Sequence, residues 1–248
     1  MFIPVEATPP SFKGFTLILP AIAVGNVAQL AVDLIVSTLS MKRVGYMHTD
    51  CLVPMVGPNP YATSAEDAGE IHTTAEGICH NFFYRSRSVL NMQKKSWQFV
   101  LTSEFSRTVV LSSSHAYQRD DQQLKGTPLR YLVTPAMRTA SGPALTELGW
   151  MEMERLSPFP GLVEAVPRLS IPGGGVTKGL FTDGCQEELC LAVVLVFCSE
   201  GDNVPDAFTL VNHLNEWLLL VDNDVTQKWK VPGSWRLLFG SSHPPSIF

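Results

Sequence analysis

The spacing of apolar positions between Phe15 and Leu39 predicts a buried strand that leads directly into a buried helix. Phe15–Leu19 is short and apolar, and Pro20 closes it because proline has no N–H for a sheet ladder. From Val27 onward, apolar residues recur on one helical face and spread beyond it. This pattern predicts a helix that lies against a sheet and beneath a second cover, for which a partner protein is one candidate.

The turn between this strand and helix contains Gly25 and Asn26. Asn26 is a suitable helix cap because its side-chain oxygen can accept a backbone N–H. Glycine turns at this position hold phosphate in dinucleotide-binding folds, where free N–H groups and the helix dipole meet the anion. That fingerprint needs three glycines at fixed spacing, and only Gly25 is present. We therefore predict an ordinary strand-turn-helix connection.

Further strands follow along the chain. Val44–Met47 reads as a second strand, and strand, helix and strand at this spacing predict a parallel βαβ unit. Arg107–Leu111 is a compact apolar segment of the same kind. Leu189–Cys198 is apolar at every position and belongs in the centre of a sheet.

Helical spacing appears in three later segments. Val89–Leu101 presents one apolar face, a second helix is predicted to begin near Pro143, and a third begins near Pro205 with Leu210 and Leu214 on its apolar face. Together the elements predict an α/β fold: a single three-layer domain with a mostly parallel central sheet flanked by helices.

The length of 248 residues allows one large domain or two small ones. The proline-rich loop between Pro158 and Pro167 is the best candidate boundary, but apolar segments flank it on both sides. We therefore predict a flexible N-terminal arm at 1–14, one domain at 15–240, and a C-terminal docking tail at 241–248.

Composition excludes several functions. The chain has 18 basic and 23 acidic residues, a formal net charge of −5 and no block of Lys or Arg, so nucleic acid is not an expected partner. The longest apolar run is about half of what a membrane helix needs, and no secretory signal begins the chain, so we expect a soluble intracellular protein without a membrane partner. Five irregularly spaced cysteines fit a reducing compartment, and no CxxC pair supports a metal site.

Ser112–His115 is the strongest candidate for catalysis, because hydroxyls beside an imidazole at the carboxyl edge of a parallel sheet suit nucleophilic chemistry. Asp120 or Asp121 would orient the imidazole. The chain has no G-x-S-x-G elbow, however, and triads are assembled from distant loops. A serine-rich turn whose hydroxyls satisfy backbone groups is the favoured interpretation.

Two other turns have a chemical and a structural interpretation. At Gly173–Gly175 the following order is Val-Thr-Lys, which does not place Lys and Ser/Thr as a phosphate loop requires, so a turn that permits close packing is favoured. The acidic turn at Ser199–Asn203 could bind a metal, but helix capping by Asp202 or Asn203 is favoured. His213 has no paired ligand in the sequence.

Several blocks, taken together and in order, resemble the proteasome assembly chaperone family. The most specific carry Pro-Ala-Ile-Ala-Val-Gly-Asn-Val, Thr-Asp-Cys-Leu-Val-Pro-Met-Val-Gly and Leu-Ser-Ser-Ser-His. The blocks are Phe15–Leu39, Tyr46–Thr63, Val109–Asp120, Thr127–Pro135, Ile171–Lys178, Ser199–Trp217 and Ser234–Gly240. They span nearly the whole chain.

The resemblance implies a non-enzymatic chaperone that pairs with a related, sibling chaperone as a heterodimer and guides assembly of the proteasome alpha ring. It implies no catalytic residue, cofactor or metal, and a cytoplasmic and nuclear location. It also implies a tail that docks between alpha subunits, here formed by Pro245, Ser246, Ile247 and Phe248. Such tails often follow a hydrophobic-Tyr-any pattern, and this chain departs from it because Ile247 occupies the tyrosine position. The alternative is an α/β hydrolase or nucleosidase-like enzyme that uses the loops at the sheet edge.

Overall fold

The computed structural model describes residues 2–8, 10–47, 56–58, 61, 71–73, 99–156, 168–222 and 229–237. Its strands are β1 (Phe2–Pro4), β2 (Thr16–Pro20), β3 (Gly45–Met47), β4 (Val56–Pro58), β5 (Ile71–Thr73), β6 (Arg107–His115), β7 (Leu129–Val133), β8 (Arg155–Leu156), β9 (Arg168–Leu169) and β10 (Leu191–Cys198). The described helices are α1 (Val27–Thr38), α2 (Pro135–Glu147), α3 (Gly175–Gln186) and α4 (Val204–Leu218). Short 3-10 turns occupy Val24–Asn26, Ala116–Gln118 and Gly233–Leu237.

Four strands form the central sheet in the order β2-β6-β10-β7. β2 and β10 both run parallel to β6, and β7 runs antiparallel to β10. Val193 of β10 lies opposite Val110 on one neighbour and Leu132 on the other. Every residue of β10 is buried, which confirms the prediction that this apolar run lies in the sheet centre.

Helices cover both faces of this sheet. Successive side chains of a strand point to opposite faces, so Val194 and Val196 join one apolar cluster while Val193 and Leu195 join the other. The first cluster includes residues of α1, α2 and α4, and the second includes Leu180 of α3. The predicted α/β class, with three layers and a mostly parallel sheet, is confirmed.

The second predicted strand is present but does not form the predicted parallel βαβ unit. β3 pairs antiparallel with β1, with Tyr46 opposite Ile3, in a separate two-stranded sheet. The place beside β2 in the central sheet is taken by β6, from much later in the chain. Local sequence indicated an extended segment correctly but carried no information about its partner, so this prediction was wrong.

Part of the predicted flexible arm has defined contacts. Phe2–Pro4 forms β1, and the rings of Phe2 and Phe12 pack against Phe99 at 5.4 and 5.8 Å between centroids. Phe12 also stacks on Phe105 at 5.3 Å. Four phenylalanine rings thus pack the amino-terminal segment against the domain, and the flexibility of the arm stays a prediction.

One predicted helix start was confirmed without its predicted cap bond, and one was wrong: α1 begins at Val27 after Asn26, as predicted. Asn26 lies in the left-handed region (φ 53°) and its side chain makes no capping hydrogen bond, because the chain enters α1 from the 3-10 turn at Val24–Asn26. α2 begins at Pro135 rather than Pro143, which lies inside the helix. Its cap is Thr134, whose hydroxyl accepts the N–H of Met137 at 3.3 Å.

The cover over α1 comes from this chain. Seven of its residues are buried, against the sheet on one side and α4 on another. The carboxyl-terminal segment 229–235 adds Trp229 and Trp235 to the same apolar cluster. The predicted second cover of α1 therefore does not require a partner protein. The predicted helix at Val89–Leu101 lies outside the described residues, except that residues 99–101 are helical.

Candidate functional site

The three serines of Ser112–His115 are strand residues rather than a turn, since β6 continues to His115. All three side chains are fully buried. The Ser113 hydroxyl donates to the carbonyl of Val24 at 2.5 Å, and the Ser114 hydroxyl donates to the carbonyl of Pro172 at 2.9 Å. Ser112 Oγ shares a hydrogen bond with Thr177 Oγ1 at 2.6 Å. These hydroxyls therefore tie β6 to neighbouring loops and to α3.

His115 is not arranged as a general base for these serines. Its Nδ1 is buried without a hydrogen-bond partner, and its ring lies 4.9 Å from the ring of Tyr117. The other edge of the ring faces Gly173, where a built Cβ would be 3.1 Å from Nε2. In the part of the chain that the structure describes, no hydrogen bond joins His115 to a serine hydroxyl or to a carboxylate.

The two candidate orienting carboxylates do not approach the imidazole either. Asp120 Oδ1 accepts the backbone N–H of Gln122 at 3.1 Å, and the N–H of Asp120 donates to Gln123 Oε1. Asp121 is exposed in the turn that follows. The structure thus uses Asp120 to shape a local turn, and the elements of a catalytic triad are not brought together.

The turn at Gly173–Gly175 permits close packing, as predicted, and leads into α3. Gly173 has φ +78°, and a Cβ on it would lie 2.5 Å from Val24 Cγ2. Ile171 lies equally close to the Cβ position of Gly174. Lys178 is exposed on α3, and no described contact directs its side chain toward this loop.

The acidic turn before α4 caps that helix. Asp202 Oδ1 accepts the N–H of Val204 at 3.1 Å, while Asn203 Nδ2 donates to the carbonyl of Ser199 and to Asp206 Oδ2. The predicted capping role is therefore confirmed for Asp202, whereas Asn203 makes no side-chain bond to a helix N–H. Within the described ranges, no group of three or more His, Cys, Asp or Glu could hold a metal ion.

His213 and the cysteines are the remaining residues with a possible chemical role, and they too are structural. His213 Nδ1 lies 3.1 Å from Glu216 Oε2, one helical turn away on α4. Cys185, Cys190 and Cys198 are free thiols. Burial, with a smaller contribution from the charge of Asp206, raises the pKa of the Cys198 thiol to about 11, so it is a poor nucleophile at neutral pH.

The predicted docking tail, Pro245–Phe248, lies outside the described residues, but its approach is described. Gly233–Leu237 packs on α1, and Trp235 Nε1 donates to Asp33 Oδ2 at 3.2 Å. Sequence reasoning did not identify this contact. The available signal was Asp33 itself, a carboxylate in the middle of a nearly apolar helix.

The described residues contain no helix with the length and apolar character needed to cross a membrane. Residues 17–222 match the PAC2 family. Over their full lengths, the chain is 54% identical to proteasome assembly chaperone 2 of Danio rerio and 45% identical to that of Homo sapiens, with 100% of this chain and of each relative covered.

Two solved structures show the same fold. Pyrococcus furiosus PbaA, described as an archaeal homolog of proteasome-assembly chaperone, has a TM-score of 0.60 and 16% identity over 90% of this chain and 88% of that chain. Pyrococcus furiosus PbaB, described as an archaeal proteasome activator, has a TM-score of 0.51 and 12% identity over 90% of both. Likeness at these identities concerns the fold alone.

The relatives carry the name of an assembly chaperone, which is not an enzyme class, and this agrees with hydroxyls that are committed to structural bonds. The relatives therefore support the prediction of a non-enzymatic family, and neither they nor the described hydroxyls favour the hydrolase or nucleosidase-like alternative. The match over 17–222 and the full-length identities show that the chain belongs to the PAC2 family.

Proposed function

We propose that this chain is a proteasome assembly chaperone that acts in the cytoplasm and nucleus. It pairs with a related chaperone as a heterodimer, promotes assembly of the proteasome alpha ring and prevents its off-pathway association. The observation that carries this proposal is full-length identity of 45 to 54% to proteins named proteasome assembly chaperone 2.

The contact with alpha subunits is assigned to the tail. Pro244 and Pro245 stiffen its approach, so fewer conformations are lost on docking, and Ile247 and Phe248 can bury apolar side chains beside the terminal carboxylate. Burial of these two side chains contributes on the order of 2 to 4 kcal/mol before ordering costs. A lysine of an alpha subunit is the expected partner of the carboxylate.

The test is a titration of purified alpha subunits with the heterodimer, in which Ser246–Phe248 is present or deleted. We expect the deletion to weaken alpha-subunit binding and to leave the heterodimer intact by size-exclusion chromatography, because the tail follows the last described packing segment at Gly233–Leu237. Ser241→Ala is the matched control within the tail. Ile247→Tyr partly restores the hydrophobic-Tyr-any pattern and is expected to strengthen binding.

Unchanged affinity after deletion would show that the tail is not the contact, and the docking surface would then lie on the folded domain. Loss of the sibling chaperone on deletion would contradict the separation of the two contacts. Failure of the heterodimer to bind alpha subunits at all would overturn the proposed function.

A further inference from the structure

Asp33 is a carboxylate on the covered side of an apolar helix, where an unpaired charge would be costly. Both of its oxygens accept hydrogen bonds from aromatic residues far away in the sequence. Oδ1 accepts from the Tyr61 hydroxyl at 2.8 Å, and Oδ2 accepts from the Trp235 indole N–H at 3.2 Å. Burial and the Asp33 charge raise the pKa of the Tyr61 hydroxyl, which therefore stays protonated and remains a donor.

Trp235 is the last of several residues that fasten the carboxyl-terminal segment to two helices. The amide of Asn215 on α4 bonds both the N–H and the carbonyl of Val221, at 2.8 and 3.0 Å. Trp229 Nε1 donates to Asn212 Oδ1 at 2.8 Å. On α1, Thr38 Oγ1 accepts the N–H of Lys230 at 2.8 Å.

The segment therefore passes from α4 to the carboxyl-terminal end of α1 and then toward the middle of that helix, where Asp33 lies. Leu237 is two residues beyond Trp235, and Phe248 is eleven beyond Leu237. An extended chain covers at most about 3.6 Å per residue, so the tail reaches about 40 Å from this point. Where the tail leaves the domain thus decides which pockets of a partner it can reach.

We propose that Asp33 is a positioning residue for the tail: its bond to Trp235 fixes the point on α1 from which residues 238–248 reach an alpha subunit. This inference rests on the proposed function of the tail. Without the bond, Trp235 would keep its apolar packing, but the last hydrogen bond described between this segment and α1 would be that of Lys230. The chain between the hydrogen-bonded anchor and the docking residues would then be longer and less oriented. Its effective concentration at the pocket would fall.

The experiment compares Asp33→Asn and Trp235→Phe in two backgrounds, the full chain and the chain lacking Ser246–Phe248, each in complex with the sibling chaperone. Trp235→Phe removes the indole N–H but retains an aromatic ring, so it tests the bond even where Asp33→Asn lowers stability. Tyr61→Phe is the matched control, because it removes a different hydrogen bond to the same carboxylate.

In the full chain, both variants are expected to weaken alpha-subunit binding by about threefold to tenfold, because one bond to a carboxylate sets the fraction of molecules with an anchored tail. In the chain lacking Ser246–Phe248, Asp33→Asn and Trp235→Phe should leave alpha-subunit binding unchanged. Tyr61→Phe should have little effect on this binding in either background. Faster hydrogen exchange at 233–237 in both variants is the accompanying structural sign.

Equal losses in the two backgrounds would mean that Asp33 acts only through stability, which overturns the inference. Unchanged binding by Asp33→Asn and Trp235→Phe, while tail deletion still weakens binding, would overturn the anchor and leave the proposed function standing. If tail deletion itself changes nothing, the docking role of the tail fails and the inference fails with it.

Discussion

At the scale of single residues, Arg130 is a buried side chain of the described core that makes many hydrogen bonds. It is fully buried on β7, and its guanidinium donates to Glu154 and to four backbone carbonyls of the preceding loop and strand. The Nε to Glu154 Oε1 distance is 2.9 Å. One side chain thus satisfies acceptors that would otherwise be buried and unpaired.

Arg130→Met is expected to lower the free energy of unfolding by about 3 kcal/mol, because it leaves Glu154 and several carbonyls without their donor. Urea denaturation measures this change. Arg138→Met is the matched control, since it removes the exposed pair between Arg138 and Glu152 and should cost less than about 1 kcal/mol. Equal losses in the two variants would contradict a special role for the buried arginine.

The serines of β6 show what residue types alone can and cannot predict. That Ser113 and Ser114 satisfy backbone groups followed from their chemistry and was confirmed. Their position inside a strand did not follow from their chemistry, because the backbone acceptors belong to Val24 and Pro172, which are distant in sequence. The position of the hydroxyls was therefore decided by tertiary packing.

At the scale of elements, the loop before α3 depends on a glycine that no other residue can replace without cost. Gly173 combines a left-handed backbone with a Cβ position that is already occupied by Val24. Gly149 shares the backbone conformation, φ +70°, but a Cβ there would meet nothing within 4 Å. The two positions therefore separate conformational strain from steric contact.

Gly149→Ala is expected to lower the free energy of unfolding by about 1 kcal/mol, the cost of the backbone conformation alone. Gly173→Ala is expected to cost about 2 to 3 kcal/mol, because the methyl group must also displace Val24. Thermal unfolding of both variants tests the difference. If Gly173→Ala were no worse than Gly149→Ala, the close packing of the loop on Val24 would contribute nothing.

Elements with an unbroken apolar pattern were predicted best. The strand at Leu191–Cys198 and the buried face of α4 were evident from composition and spacing. The start of α2 was misplaced because Pro143 is compatible with a first helical turn, whereas the actual cap, Thr134, is also held by the N–H of Leu191. A cap that depends on a strand nearly sixty residues away leaves little local signal.

At the scale of the whole molecule, one group of exposed apolar side chains among the described residues lies just beyond the end of α1 rather than along it. Leu39, Met41 and Val44 follow this helix and are 39 to 57% exposed, and the N–H of Val5 bonds the carbonyl of Val44. α1 itself is covered by the chain. Self-association of the isolated chain, if it has an apolar cause, is therefore expected at this patch, defined by Val5, Leu39, Met41 and Val44.

We expect the isolated chain to self-associate at micromolar concentration and the variant Met41→Asp with Val44→Asp to approach the monomer mass of 27.2 kDa in light scattering. The added charges oppose burial of the patch. Tyr117→Ser is the control, because Tyr117 is 74% exposed but follows β6. A wild-type chain that is already monodisperse and monomeric would contradict the prediction and would also count against an obligate heterodimer.

The class of fold was predictable because strands and helices alternate, and the ordered blocks of sequence identified the family. The strand order was not predictable in the same way. β2 pairs with β6 so that Leu17 lies opposite Thr108, and these two residues are some ninety positions apart in the sequence. No periodic pattern encodes which distant strands pair. The antiparallel pairing of β3 with β1 is the clearest example of this limit.

The central position of β10 also decides when this chain can fold. β10 is the partner of both β6 and β7, yet it lies far toward the carboxyl terminus and is synthesised after both of them. A growing chain that ends before Leu191 can pair β2 with β6 but leaves the other edge of β6 and the inner edge of β7 unmatched. Pairing between such distant segments is slow, and its incomplete forms expose apolar strand edges. The central sheet can therefore be completed only after β10 has been synthesised. We expect the nascent protein to be most prone to aggregation in the interval between synthesis of β6 and synthesis of β10.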